Sequence, residues 1–175
     1  MRTGILATCV LGILILASSG ETTKAPKYFD LSNQLRQPNY AGGSCVYASL
    51  VTVLRWQHQF GLADQVRSGY SGACSEGSLI RACENLNIKY AYTVRGDPKF
   101  LDWCDRTNRG AVIFYFDNHS VTFACYTNGL ASLIDNNDPD RKILIPKEQF
   151  LKDWKKYGGF ALTAVYSPSP PKPRS

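Results

Sequence analysis

At 175 residues, with 44% hydrophobic and 19% charged side chains, the chain has room for one globular domain with a core of useful size and is not an intrinsically disordered chain. Its formal charge of +6 is spread without a dense Lys/Arg block. Nucleic acid is therefore excluded as a partner on present composition, since such sites need a clustered basic stripe, whereas an anionic surface such as a cell envelope is compatible.

In chain order, Arg2 precedes the apolar run 5–17, followed by Ser18, Ser19 and Gly20. A positive start, a short apolar stretch and small residues predict a signal peptide over 1–20. The run is shorter than the roughly 20 apolar residues a spanning helix needs, so no stable membrane insertion is expected after cleavage. The expected location is secreted, periplasmic or in the cell envelope. Residues 21–27 read as an exposed lead-in, 28–166 as a single domain, and the Pro/Ser/Lys-rich 167–175 as a disordered tail. Loss of Cys9 with the signal leaves Cys45, Cys74, Cys83, Cys104 and Cys125. Two readings fit an odd count in an oxidising compartment: two disulfides, for which Cys74–Cys83 and Cys104–Cys125 are candidates, with one thiol left over, or several reduced and buried thiols.

Residues 44–60, SCVYASLVTVLRWQHQF, predict a buried central helix, apolar nearly all round from Val46 to Leu54 and started by Ser44 after Gly42-Gly43. A second helix is expected over 75–87, a strand over 88–94, and a third helix from Asp97 with Pro98 in its first turn. Strands follow at 111–116 and 119–126. The Asn128-Gly129 pair marks a hairpin into a strand at 130–134. A short helix over 146–159 and a last strand at 160–166 complete an α+β fold, with a helical first half carrying the cysteine-bearing helix packed on an antiparallel sheet.

Cys45 lies in the first turn of the central helix, where free N–H groups and the helix dipole favour a thiolate. A nucleophilic cysteine needs a base, and the chain has two histidines, His58 and His119. His58 is 13 positions along the same helix, about 20 Å away; it reads as a polar residue at the exposed end. His119 opens a strand, and the hairpin that follows brings Asp135, Asn136 and Asn137 back beside it. One of these residues could accept its ring N–H and orient the imidazole. Strand alternation alone does not separate Asp135 from Asn136, because a one-residue change in the hairpin exchanges them. Cys74 also precedes a helix, but no histidine pattern accompanies it and it reads as structural. Two distant histidines offer no metal-ligand spacing, so no metal or cofactor is expected.

The segments GGSCVYASLVTVLRW and HSVTFACYTNGLASLIDNNDP together resemble the papain-like cysteine peptidases, in particular the bacterial branch of double-glycine, bacteriocin-processing (C39-like) peptidases and their secreted relatives. The resemblance spans essentially the whole domain. It implies a papain-like fold and proteolysis, with Cys45 as nucleophile, His119 as general base and acid, and Asp135, 16 positions after His119, as the third member, with Asn136 as the alternative. The family's oxyanion donor is a Gln six residues before the cysteine. Here Asn39 stands at that position and Gln37 two residues earlier, so either amide would have to serve, with the Cys45 backbone N–H as second donor. The expected activity is that of an exported thiol hydrolase cleaving amide bonds of a peptide or protein substrate. A cell-wall amidase or endopeptidase acting on envelope peptides is a variant, and a non-catalytic secreted binding or envelope protein on the same scaffold is the alternative.

Overall fold

A computed structural model describes residues 31–40 and 42–166. The expected signal peptide, the lead-in, residues 28–30 and the C-terminal tail lie outside the described residues. After a 3-10 turn at Asn33–Leu35 come α1 (Cys45–Trp56), α2 (Phe60–Gly69), α3 (Glu76–Asn85), β1 (Tyr90–Thr93), α4 (Pro98–Arg106), β2 (Ala111–Phe114), β3 (Ser120–Thr127), β4 (Leu130–Ile134), β5 (Lys142–Pro146), α5 (Lys147–Lys156) and β6 (Ala161–Ala164). The six strands form one antiparallel sheet in the order β1-β6-β2-β3-β4-β5. The fold is α+β, as the order of periodicities requires.

Every residue of α1 except Arg55 is buried. Its side chains pack on β2, β3 and β6 on one side and on α2 on another, which is why no polar stripe is left in the sequence. Leu50, Val53 and Leu54 join Val112, Leu162 and Ala164 in this layer. The opposite face of the sheet is covered by α4 and α5. There Ile113, Val121, Phe123 and Leu133 meet Leu101, Phe150 and Trp154.

Two elements escaped the sequence reading. The helix expected over 44–60 is two helices, because His58 adopts a left-handed backbone (φ 59°) and α2 begins at Phe60. α2 buries only Ala63 and Val66, too thin a stripe to register as amphipathic. β5 is an edge strand whose residues alternate only between half-buried and exposed, so the period-2 signal is weak there too.

The two candidate disulfides are a correction. Among the described residues no disulfide joins the cysteines. Cys104 is fully buried in the layer under α4, whereas Cys125 packs against the cluster of Leu31, Trp56, Ala124 and Ile134 on the other side of the sheet. Cys83 is fully buried in the α1 layer, and the Cys74 thiol donates to the Ser75 carbonyl at 3.2 Å. Burial pushes both Cys83 and Cys104 up to about 12, so they persist as inert thiols at neutral pH.

Candidate active site

Two consecutive left-handed glycines, Gly42 (φ 68°) and Gly43 (φ 83°), turn the chain into α1. A Cβ on Gly43 would meet no neighbour within 4 Å, so backbone conformation, not crowding, calls for glycine there. Ser44 stands at the N-cap position but does not cap with its side chain. Its hydroxyl instead donates to the Tyr40 carbonyl and to Asn39 Oδ1, 3.2 Å away. The first N–H groups of α1 are thereby left to Cys45: the Val46 N–H hydrogen-bonds the Cys45 sulfur, as does the Ser120 N–H at the start of β3.

The His119 imidazole bonds the Cys45 thiol on one side. On the other, its Nε2 lies 2.8 Å from Asp135 Oδ1. That leaves Nδ1 as the ring nitrogen for the sulfur. Asp135 Oδ1 also accepts the Asn137 N–H at 2.9 Å, which fixes the carboxylate's orientation. Burial raises the Cys45 thiol, but the hydrogen bond from His119, the Ser120 N–H, the imidazolium charge and the Val46 N–H outweigh it and hold the thiol below its usual value. His119 is raised to about 9, first by its bond to Cys45, against the opposing effect of burial, and then by the hydrogen bond and charge of Asp135. Together these shifts favour a thiolate–imidazolium pair.

The choice between Asp135 and Asn136 is made by a bulge. Thr127 faces Leu130 across Asn128 (φ 48°) and Gly129 (φ 77°), a two-residue turn with both residues left-handed. The pairing continues to Cys125 and Ser132. Then Phe123 faces Leu133, so Ala124 is an extra residue on β3. Beyond it, alternation puts Asp135 on the face that carries His119 and Asn136 on the α1 face. Were Ala124 paired in regular register instead of bulged, it would face Leu133, Val121 would face Asn136, and the parity would reverse. Asn136, 1% exposed, uses Nδ2 to bond the Cys45 carbonyl (3.0 Å) and Ser49 Oγ (2.8 Å), while its own carbonyl accepts the Asn39 N–H at 2.7 Å. It therefore ties the start of α1 to the chain that carries Asp135, and does not touch His119.

The two upstream amides part company. Gln37 is buried against Thr52, whose Oγ1 accepts the Gln37 backbone N–H, and its Nε2 donates to the Pro38 carbonyl at 2.8 Å. Thr52 is seven residues along α1 from Cys45, about 10 Å, so the Gln37 backbone is anchored two turns beyond the thiol while its side-chain amide is taken up by the Pro38 carbonyl. Asn39 stays beside the helix start, held through Ser44 Oγ and by its Nδ2 donating to Asn137 Oδ1 at 3.1 Å. His58 is exposed at the far end of α1, as expected.

A cavity of about 420 Å³ opens at Cys45 and His119, with Val46, Phe114, Phe116 and Tyr157 in its walls. Sequence reasoning missed these walls. Phe114 and Phe116 were counted as strand residues, and Tyr157 lies at the end of α5, far away in sequence.

No family model and no curated protein matches this chain. Solved structures do. A putative C39-like peptidase from Bacillus anthracis superposes with a TM-score of 0.58 at 15% identity, covering 77% of this chain and 96% of that one. A double-glycine-motif protease from an AMS/PCAT transporter, in complex with the leader peptide, gives 0.53 at 22% identity, over 73% of this chain and 87% of that one. The peptidase domain of Streptococcus ComA, a bifunctional ABC transporter of a quorum-sensing pathway, gives 0.52 at 18% identity, over 74% and 96%. The fold of this chain is that of the papain-like, C39-type peptidase domains.

Proposed function

We propose that this chain, on its C39-type peptidase fold, is a thiol peptidase that cleaves peptide bonds through Cys45, His119 and Asp135. The observation that carries the reading is the continuous contact from the Cys45 sulfur through the His119 ring to Asp135, with the thiol held below and the imidazole above their usual values at the mouth of a cavity. The Cys45 thiolate attacks the amide carbonyl and forms the acyl-enzyme. His119 Nδ1 gives its proton to the leaving amine. It then takes a proton from water, which attacks the thioester and restores the thiol. Asp135 holds the ring so that Nδ1 faces the sulfur. The Cys45 backbone N–H and the Asn39 amide, turned from Asn137, supply the oxyanion donors. The leader-peptide complex of a similar fold favours a peptide substrate here. With the export expected from the apolar run at 5–17, an envelope peptide would be a natural substrate.

The test is the rate of Cys45 alkylation by iodoacetamide in the native protein, alongside hydrolysis of casein and cell-wall peptides. Cys45 should react far faster than Cys83 and Cys104, and both labelling and hydrolysis should collapse in His119→Ala. If Cys45 labels no faster than the buried thiols and Cys45→Ala changes no hydrolysis, the enzyme reading is lost. The second reading, a non-catalytic peptide-binding protein, is favoured by one observation: Gln37 faces Pro38 and Asn39 is engaged by Asn137, so no upstream side-chain amide is already aimed at the cavity.

A further inference from the structure

The turn between β2 and β3 has an unusual shape. Tyr115 and His119 close it through an N–H to carbonyl bond of 3.0 Å. Within it Phe116 is left-handed (φ 65°), as is Asn118 (φ 54°). A bulky aromatic residue rarely adopts that conformation, and strain of this kind gathers at functional sites. Its consequence here is concrete. Tyr115 is buried on the α5 side of the sheet, while the Phe116 ring is delivered, 38% exposed, to the rim of the Cys45 cavity. There it stacks beside His119 with ring centres 6.4 Å apart and planes at 27°.

The next residue, Asp117, is exposed and lines the same cavity, where it is the only acidic side chain among the described residues. No described residue bonds its carboxylate. Phe114 and Tyr157 add further aromatic lining, and Val46 an aliphatic one. Aromatic faces and one unpaired carboxylate form a site for a side chain with an apolar stem and a cationic tip. A neutral aliphatic or aromatic residue would fill the walls but would leave Asp117 to be desolvated without a partner. An acidic residue would meet Asp117 directly. The chain's overall charge of +6 repels cations at long range, so any preference for one must come from this carboxylate.

We propose that the cavity beside Cys45 is a subsite for an arginine or lysine side chain of a peptide, its stem packed by Phe114, Phe116 and Tyr157 and its tip paired with Asp117. As a statement about substrate it rests on the peptidase reading; as a statement about binding it can be tested without catalysis. The full chain carrying Cys45→Ala is titrated by fluorescence anisotropy with labelled alanine heptapeptides in which one Arg, Leu or Glu is moved along the sequence. At one position the Arg peptide should bind about ten-fold more tightly than its Leu counterpart, and the Glu peptide most weakly. Adding Asp117→Asn should reduce the Arg-to-Leu ratio to below about two-fold while the Leu peptide binds as before, and added salt should act in the same direction. Phe116→Ala should weaken the Arg and Leu peptides alike. Equal binding of Arg and Leu at every position, an Arg-to-Leu ratio unmoved by Asp117→Asn, or no binding of any peptide below about 1 mM would each overturn the proposal. If the Arg preference holds but the wild-type chain cleaves none of these peptides and Cys45 alkylates slowly, the subsite stands and the peptidase reading falls.

Discussion

The two faces of the sheet are built by different means. Under α4 and α5 lies an aromatic stack, with Phe123 and Phe150 at 14° and Phe150 and Trp154 at 5°, and with Tyr115 beside Phe150 at 5.5 Å between ring centres. Under α1 the layer is studded with buried polar groups: Ser49, Thr52, Gln57, Ser120 and Asn136. Gln57 Nε2 donates to the Arg109 carbonyl, and Asn136 joins α1 to β3 and to the segment after β4. Apolar area is non-directional and supplies bulk stability. Hydrogen bonds are directional and fix one element's position against another. Cys45 sits at the end of the face where position is fixed.

That contrast can be broken by experiment. The largest effect is expected at the end of the polar face. Cys45→Ala should lower hydrolysis by on the order of 10⁴-fold or more while lowering the melting temperature far less than a core truncation does, as seen by peptide turnover and calorimetry. On the aromatic face the pattern should invert: Phe150→Ala should cost about 3–5 kcal/mol in denaturant unfolding, yet leave the Cys45 alkylation rate intact in the folded protein. Asn136→Ala joins the two behaviours. It should cost about 1–3 kcal/mol, since partners such as Ser49 Oγ lose a buried bond, and should also slow alkylation. Stability lost with no change in alkylation would remove Asn136 from the positioning of Cys45.

The pH dependence is the smallest and sharpest test. Folding raises His119 to about 9 from an ordinary 6.5. Its charged form therefore stabilises the fold fully below the ordinary value, and that contribution is lost as pH rises through about 9. Hydrolysis should decline over the same upper range, because the leaving amine loses its proton donor, while alkylation persists on the free thiolate. In Asp135→Ala the upper limb of hydrolysis should move to lower pH. An unmoved limb would mean that Asp135 does not hold the imidazolium.

Much of the architecture was legible because it is local. The all-round apolar run of α1 requires burial, the Asn128-Gly129 pair requires a tight turn, and Asp97-Pro98 starts a helix, with Asp97 accepting the Lys99 N–H. The return of the 135–137 segment beside His119 was readable for the same reason, since two hairpin strands leave few ways to arrange them, whereas Asp135 within it was pointed to only by the family resemblance. What tertiary structure decided is what depends on register and on which layer a residue joins. The bulging of Ala124 out of the ladder, and not its pairing in regular register, put Asp135 and not Asn136 beside His119. The sheet separated Cys104 from Cys125, so cysteine counting gave no bridge. Gln37 was drawn to Thr52, and Phe116 was turned out by a backbone angle that sequence does not announce. Local patterning names the elements and their reactive ends; the summed packing of distant segments sets which side chains finally face one another.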